Sequence, residues 1–294
     1  MSLIISNETR HEIQQYPAGE WRVTCPEPTT IKNDWFDKYV FIHDNTDINN
    51  HLIQSFLLGD ILKQRYQNVS LVLPYLPYAR EDVRHPRTSL SLKVLADLIN
   101  SQNFYRVITW DVHSPLAAVY INNLVEIPIY DIIHNHHVLP YDFSNDKPKT
   151  CLVIPDQGAY KRLNKVVELF DDKIVCIKNR NPENGHIQFD YIVGDVHNKD
   201  CVIVDDICDG GMTFKLIAKE LKKRGAHRIT LYVTHGIFSK GLDTIYESGV
   251  DRIVTTNTLF INENRRFEYG DKFTVKDVKG MIQYANFRKS ASPH

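Results

Sequence analysis

The chain has 294 residues, and its 35 Lys and Arg side chains against 36 Asp and Glu side chains give a formal net charge of −1. With 43% hydrophobic and 24% charged residues, it has the composition of a globular protein of about two domains. The near-zero charge argues against binding to a nucleic acid backbone. The sequence has no run of about 18 apolar residues, so no membrane helix is predicted. We therefore expect a soluble protein that binds molecules smaller than a polymer.

In the first half of the chain, short apolar runs alternate with helical patterns. The pattern predicts strands at 39–44, 69–75 and 106–113, and helices at about 49–66 and within 89–100. The segment 125–133 reads as extended, because Pro128 disfavours a helix there. A polar stretch rich in Asp, Asn and Pro then predicts a domain boundary near residue 147.

The second half repeats this scheme. Strands are predicted at 150–156, 173–179, 200–207, 228–235 and 252–258, with helices near 158–170, 214–224 and 241–248. Gly225 follows two lysines and an arginine, as the residue after a helix often does. Apolar strands separated by helices predict parallel sheets covered on both faces. We therefore expect an α/β protein of two lobes with a cleft between them, divided into domains 1–147 and 148–294.

The five cysteines suggest a reducing compartment. They are odd in number and widely spaced, and none forms a C-x-x-C pair: Cys25, Cys151, Cys176, Cys201 and Cys208. Such a pattern is typical of free thiols rather than of a disulfide framework or a zinc site. The first 15 residues also lack the charged and apolar regions of a signal peptide. We expect a cytoplasmic protein.

Polar residues follow the predicted strands, at the sheet edge where open parallel sheets bind ligands. They are Arg80, Glu81 and Asp82 after the second strand, Asp111 and His113 after the third, Asp156 after the first strand of the second lobe, and Asp205, Asp206 and Asp209 further on. This edge is therefore rich in carboxylates.

The segment VIVDDICDGGMTF, residues 202–214, is the most informative motif. An apolar strand ends in two acids, and a glycine-containing turn leads into a helix that begins after Thr213. The backbone N–H groups of such a turn form an anion cradle, while Asp205 and Asp206 suit ribose hydroxyls or Mg²⁺. Together they describe a ribose 5-phosphate site. The alternative is an acidic turn that merely caps a helix.

This segment resembles the phosphoribosyl pyrophosphate-binding loop of phosphoribosyltransferases and ribose-phosphate pyrophosphokinases, which typically has two acids, two spacers and Asp-Thr-Gly-Gly-Thr. Other segments are similar to the pyrophosphokinases in particular. PYLPYAREDVR resembles their ATP-binding segment, TWDVHS their metal segment, IPDQGAYKR their Ser-Pro-Asp-x-Gly segment, and YPAGEWRV the segment that meets a neighbouring subunit's ATP. The matches are collinear over most of residues 12–258. The resemblance implies two tandem phosphoribosyltransferase-like, Rossmann-like domains with mostly parallel sheets.

The resemblance also implies an activity and a set of site residues. ATP would transfer a diphosphoryl group to the anomeric hydroxyl of a ribose 5-phosphate unit, with Mg²⁺ as the cofactor and AMP as a product. Implied catalytic residues are Arg80, His113, Lys178 and Arg180, and implied ATP contacts are Tyr16, Glu20, Arg80, Glu81, Asp82 and Arg84. Implied ribose-phosphate contacts are Asp205, Asp206, Asp209, Gly210, Gly211, Met212 and Thr213, and implied metal ligands are Asp111, His113 and Asp156. For His113, a packed core histidine is the alternative.

Departures from the family pattern bear on the acceptor sugar. The loop reads Asp-Gly-Gly-Met-Thr at 209–213, so one threonine hydroxyl is lost and Met212 stands where a glycine is usual. The basic segment is altered around Lys178 and Arg180, and Glu81 replaces a neutral Gln, which suggests contact with an adenine amino group or a metal. The acceptor is therefore either ribose 5-phosphate or an ester of it such as ADP-ribose.

Two other classes of protein stay open. One is a non-catalytic regulatory paralogue of the synthetase, and the other is a phosphoribosyltransferase that shares only the 202–214 loop. The retained acids and His113 favour the enzyme. The resemblance further implies a homodimer or homohexamer, with ATP sites completed across subunits, and small-molecule substrates rather than nucleic acid or membrane as partners.

Overall fold

The computed structural model describes residues 3–5, 11–24, 38–42, 47–136, 149–180, 187–259, 268–278 and 281–282. The chain divides into two compact units, of which the first is mainly Met1–Ile127 and the second mainly Pro128–Asn257 with Ile261–Lys279. The boundary expected near residue 147 lies outside the described residues. Each unit contains an α/β sheet.

The first unit is built on a five-stranded sheet. Its elements in chain order are β1 (Leu3–Ile5), β2 (Glu12–Gln15), β3 (Trp21–Thr24), β4 (Lys38–Ile42), α1 (Ile48–Lys63), β5 (Val69–Leu73), α2 (Ser91–Ser101), β6 (Val107–Trp110), α3 (Ala117–Tyr120) and β7 (Leu124–Ile127). The sheet order is β1-β4-β5-β6-β7, parallel except for β1, while β2 and β3 form a separate antiparallel hairpin. Helices α1, α2 and α3 bury their apolar side chains against one face of the sheet.

The second unit is built on a seven-stranded sheet. Its elements are α4 (Ile129–His136), β8 (Thr150–Ile154), α5 (Gln157–Arg162), β9 (Asp172–Arg180), β10 (Ile187–Val193), β11 (Asp200–Cys208), α6 (Met212–Lys223), β12 (Arg228–Gly236), α7 (Asp243–Tyr246), β13 (Arg252–Thr256) and β14 (Phe273–Lys276). The order is β10-β9-β8-β11-β12-β13-β14, and only the β9–β10 pair is antiparallel. The prediction of mostly parallel sheets is confirmed.

Helices cover both faces of the second sheet, as near-continuous apolar strands predict. On one face α6 contributes Phe214, Ile217 and Leu221, in a core that also includes the thiols of Cys151 and Cys201. On the other face α4 and α5 pack against β8 and β11. The four cysteines in the described part of the chain are buried free thiols, as expected, while Cys25 lies outside it. None of the helices in the described ranges is both long and apolar enough to span a bilayer.

The extended reading of 125–133 is wrong beyond Ile127. The strand β7 ends there, and α4 begins one residue after Pro128, whose carbonyl oxygen accepts from the backbone N–H groups of Asp131 and Ile132. A proline restricts the residue before it, which is in the strand, but its own fixed φ suits the first turn of a helix. Pro128 therefore marks the change from strand to helix.

Candidate active site

The two acids of the 202–214 motif lie inside a strand rather than after it. β8 pairs with β11 as far as the Ile203–Val153 pair, whereas β11 continues along β12 to Cys208, which pairs with Gly236. The strand predicted at 200–207 is confirmed to within one residue, and both acids lie before its end. Because β11 outruns its neighbour β8, both acids stand at the carboxyl end of the sheet, where ligands bind in this class of fold.

Asp205 and Asp206 are buried and ion-paired with Arg162, the last residue of α5. Their side chains are 15% and 4% exposed, and that of Arg162 is 18% exposed. The Arg162 guanidinium contacts Oδ1 of Asp205 and lies 3.2 Å from Oδ1 of Asp206. Two backbone N–H groups also donate to these acids, that of Asp206 to Asp205 Oδ1 at 3.0 Å and that of Ile207 to Asp206 Oδ1 at 2.8 Å.

Burial dominates the ionisation of this pair. It raises the pKa of Asp205 to about 8, and the negative charge of Asp206 acts in the same direction. The Arg162 guanidinium opposes both effects, and Asp156 adds a smaller one that raises the pKa further. The acid pair therefore changes its charge near neutral pH, which is unusual for carboxylates and common at functional sites.

The turn after β11 is fixed by the segment after β12. Ser239 Oγ donates to Asp209 Oδ1 at 2.6 Å, and the Ser239 N–H donates to the Asp209 carbonyl at 3.2 Å. Gly211 has φ +73°, and a Cβ at that position would meet the side chain of Ile245 at 3.0 Å. The left-handed backbone and this close packing require glycine.

The helix α6 begins at Met212, two residues earlier than predicted, and its first N–H groups face the turn. The N–H of Lys215 already donates to the Gly211 carbonyl, and the three preceding N–H groups are the unpaired donors of an ordinary helix start. The Met212 side chain is 56% exposed and Thr213 is half-buried. A helix start of this kind can bind an anion, and the Met212 thioether lies beside it.

Asp156 follows β8 and caps α5. Its Oδ1 accepts the backbone N–H of Ala159 at 2.8 Å, the usual geometry of an N-cap aspartate. The same six-residue helix ends at Arg162. Asp156 and the acid pair thus flank one helix of the second unit.

In the first unit, the segment after β5 exposes its charged residues. Arg80, Glu81 and Arg84 are exposed and Asp82 is half-buried. The segment is held through its backbone, since the Glu81 carbonyl accepts from the N–H of Leu92 in α2 at 3.2 Å. The charged side chains are therefore presented to solvent by a fixed main chain.

Asp111 and His113 follow β6 and differ in exposure. Asp111 is fully buried with φ +39°, and its N–H donates to the Ile127 carbonyl at 2.9 Å. His113 is exposed. The alternative of a packed core histidine is thus wrong, because it is the aspartate that the fold buries.

Tyr16 and Glu20 lie at the tip of the β2–β3 hairpin. The N–H of Tyr16 donates to the Glu20 carbonyl at 2.8 Å, and both side chains are exposed. The hairpin is anchored on α1 by the Trp21 indole N–H, which donates to Asn50 Oδ1 at 3.1 Å. An anchored arm with an exposed tip is suited to meeting a ligand or a second chain.

Lys178 and Arg180 lie on β9 rather than in a loop. The antiparallel partner β10 pairs Phe189 with Lys178 and Ile187 with Arg180, and these backbone hydrogen bonds extend the strand beyond its apolar part. The predicted strand 173–179, which covers Lys178, is thus confirmed, and β9 extends it by one residue to Arg180. The connection at 181–186 lies outside the described residues.

Two residues of the site were not anticipated from sequence, Arg162 and Ser239. Both are within motifs that the sequence singles out, the IPDQGAYKR segment and the stretch after β12. A signal for Arg162 exists, because adjacent acids at the end of an apolar strand need a buried cation nearby. Ser239 carries no such signal, since its contact with Asp209 depends on the turn geometry.

In the described part of the chain, the three residues implied as metal ligands do not form a ready-made metal site. Across the described ranges, no group of three or more His, Cys, Asp or Glu side chains could hold a metal ion. Asp111 and His113 belong to the first unit and Asp156 to the second. Mg²⁺ commonly takes one or two carboxylates and completes its shell with water and substrate phosphates, so a sparse set of protein donors suits it.

Two family models match the chain. Residues 4–102 match the N-terminal domain of ribose phosphate pyrophosphokinase, and residues 183–289 match the phosphoribosyl synthetase-associated domain. A ribose-phosphate pyrophosphokinase of Shewanella oneidensis is 33% identical over 227 residues, 75% of this chain and 71% of that protein. The corresponding protein of Aquifex aeolicus is 32% identical over 261 residues, 86% of this chain and 80% of that protein.

A solved structure has the same fold. The crystal structure of phosphoribosylpyrophosphate synthetase from Mycobacterium smegmatis matches with a TM-score of 0.79 at 24% identity. The match covers 96% of this chain and 90% of that chain. It confirms the expected pair of phosphoribosyltransferase-like α/β units.

Proposed function

The chain belongs to the ribose-phosphate pyrophosphokinase family, and from that premise we propose that it transfers the β,γ-diphosphate of ATP to the anomeric C1 hydroxyl of a ribose 5-phosphate unit. The hydroxyl oxygen attacks the β-phosphorus of ATP and forms a new P–O bond. The bond between the β-phosphorus and the α,β-bridging oxygen breaks, AMP leaves with that oxygen, and the hydroxyl proton is released. Membership makes the chain a transferase. The observation that carries the proposal is the buried acid pair beside an anion cradle at the end of β11.

We assign the sugar to the second unit, the domain expected at 148–294. Asp205, Asp206 and Asp209 would accept hydrogen bonds from ribose hydroxyls, and the first turn of α6 would hold the 5-phosphate through its N–H groups. Ser239 supports this arrangement by fixing Asp209. A preorganised site of this kind positions a neutral hydroxyl without reorganisation during the reaction.

We assign ATP to the first unit, the domain expected at 1–147. Arg80 and Arg84 offer exposed guanidinium groups that match phosphate oxygens. Glu81 would contact an adenine amino group or a metal rather than a phosphate. Asp111 and His113 of the first unit would hold Mg²⁺, which when bound neutralises phosphate charge, and Asp156 of the second unit would hold a second metal ion or its water shell. Lys178 and Arg180 would stabilise the charge that develops on the transferred group.

The acceptor is either ribose 5-phosphate or ADP-ribose. A free phosphate monoester has more negative charge than a diester and needs more donors, whereas this cradle has lost one hydroxyl and gained the exposed Met212. ADP-ribose keeps the same anomeric hydroxyl and presents its 5-phosphate as a singly charged diester. Transfer to it would give ADP-ribose pyrophosphate, and transfer to ribose 5-phosphate would give phosphoribosyl pyrophosphate.

A single assay tests both proposals. The protein is incubated with Mg²⁺ and ATP plus either sugar, and AMP is quantified. We expect AMP well above the sugar-free background with at least one acceptor. AMP with ADP-ribose alone would reject ribose 5-phosphate, and the reverse result would reject ADP-ribose. AMP at the background level with both sugars would reject the proposed activity and favour the regulatory paralogue. The family model that matches residues 183–289 is named for such a synthetase-associated protein.

A further inference from the structure

Arg162, the last residue of α5, contacts both acids of the pair. Its guanidinium reaches Oδ1 of Asp205 and Oδ1 of Asp206, so a single cation serves two adjacent carboxylates. An arginine fork suits this geometry, because its several N–H donors are fixed in one plane. The contact crosses from α5 to β11, between elements that are 43 residues apart in sequence.

Arg162 offsets a large electrostatic cost. Two carboxylates this deeply buried lose most of their hydration and repel each other. Without a cation they would bind protons, and a protonated carboxyl group is a poorer acceptor for a sugar hydroxyl. The guanidinium opposes this uptake of protons, because its charge lowers the pKa of Asp205 against the effect of burial.

Arg162 also fixes the direction of both carboxylates. The backbone N–H groups of Asp206 and Ile207 hold the same Oδ1 atoms that the guanidinium contacts. Each carboxylate is therefore restrained through one oxygen from two sides, by the strand's own backbone and by α5. This leaves the pair in one orientation rather than in several rotamers.

We propose that Arg162 is a positioning residue, which holds the carboxyl groups of Asp205 and Asp206 oriented towards the vicinal hydroxyls of the ribose. It acts through the acids and does not touch the reacting atoms. The inference rests on the proposed function, since it concerns the same sugar site. It adds a residue outside the 202–214 loop to that site.

The test compares Arg162→Met, Arg162→Lys and the control Lys161→Met in steady-state kinetics with the acceptor that the wild type uses. Lys161 is exposed on the same helix, so its replacement removes the same charge without touching the acids. We expect Arg162→Met to raise the KM for the acceptor by at least about 30-fold, because truncating one partner of a buried charged hydrogen bond is expensive. The KM for ATP and all constants of Lys161→Met should stay within about 3-fold of the wild type.

The lysine variant keeps the test valid if the methionine variant does not fold. Arg162→Lys retains the charge but loses the planar fork, so we expect an acceptor KM between those of the wild type and Arg162→Met. The proposal is overturned if an active, folded Arg162→Lys or Arg162→Met binds the acceptor as the wild type does, or if the KM values for ATP and acceptor rise together. A wild type that makes no AMP with either sugar overturns the proposed function instead.

Discussion

The two units present their charged residues in opposite ways. In the first unit Arg80, Glu81, Arg84 and His113 are exposed on segments whose main chain is fixed. In the second unit the acids of β11 are buried and paired with a cation from α5. The charged groups of the first unit are open to solvent, whereas the acids of the second unit are held by their own counter-ion.

The difference follows from the cost of burying charge. A buried carboxylate persists only when partners replace its lost hydration, so the second unit must carry its own counter-ion and hydrogen bonds. Exposed groups need no partner in the protein, and a polyanionic ligand can supply the opposite charge. We infer that the sugar half is preorganised and that the nucleotide half depends on its ligand for its final geometry.

The substitution His113→Ala should have the largest effect, and it tests whether the exposed residues of the first unit act on the ligand rather than on stability. Because the side chain is exposed, we expect the thermal midpoint to stay within about 2 °C of the wild type. AMP formation should fall by about 1,000-fold or more, since a missing metal ligand removes several kcal/mol of charge stabilisation. An AMP-release assay beside scanning calorimetry checks both, with the exposed His197→Ala as the matched control.

A smaller effect is expected from Arg80→Met in the exposed segment. It should raise the KM for ATP by about 30- to 100-fold, because a charge-assisted contact to phosphate contributes roughly 2–3 kcal/mol. The acceptor KM should not change, which steady-state kinetics with each substrate varied in turn will show. Arg224→Met is the control, since its partner Glu220 forms an exposed helix pair. A shift in the acceptor KM alone would contradict the assignment of ATP to this unit.

The substitution Met212→Gly tests which acceptor sugar the second unit prefers. The substitution restores the family's small residue at the start of α6, where Met212 is exposed. We expect the ratio of kcat/KM for ribose 5-phosphate to that for ADP-ribose to rise by about 10-fold, because one side chain typically discriminates substrates by 1–3 kcal/mol. Competition between the two sugars in one reaction measures this ratio directly. An unchanged ratio would remove Met212 from the specificity of the site.

The smallest expected effect is a pH dependence of stability. The raised pKa of Asp205, about 8, means that the folded protein holds a proton there that the unfolded chain releases near pH 4. The folded state thus binds more protons between these values, and stability from this group falls as pH rises from about 4 to 8. The charges that act on Asp205 are those of Asp206, Arg162 and Asp156.

Thermal midpoints at pH 5 and pH 8 check this sign. Asp205→Asn cannot ionise, so we expect its midpoint to fall less over this interval than that of the wild type, by on the order of 2 °C. Asp209→Asn is the comparison, because it changes the same residue type in the turn that follows β11. Parallel pH profiles for wild type and Asp205→Asn would show that Asp205 ionises in the folded protein as in the unfolded chain.

Much of the fold follows from apolar periodicity. The predicted strands at 69–75, 150–156 and 228–235 overlap β5, β8 and β12, since a run buried on both faces has few other solutions. Gly225 ends α6 with φ +83°, as its place after the basic residues predicts. The short strands β2 and β14 were missed, because four residues of mixed polarity carry little pattern.

The site was predictable where a motif lies in one continuous segment. The acids and the helix start of 202–214 are such a case, and so is the position of Asp156 just after β8. The ion pair with Arg162 joins segments 43 residues apart. From sequence alone, an arginine at a helix end that forms a buried ion pair cannot be distinguished from one that is exposed to solvent. Arg180 lies just beyond the predicted strand 173–179, because the pairing with β10 that extends β9 depends on residues that are not its neighbours in sequence.

The extension of β11 past β8 has a consequence for self-association. Where a strand outruns its neighbour, its backbone becomes an open edge to which another chain can add. The N–H groups of Asp206 and Ile207 instead donate to the carboxylates of Asp205 and Asp206. Charged side chains that point inward at such an edge disfavour pairing with another strand. The acids proposed to bind the sugar therefore also disfavour aggregation through this edge.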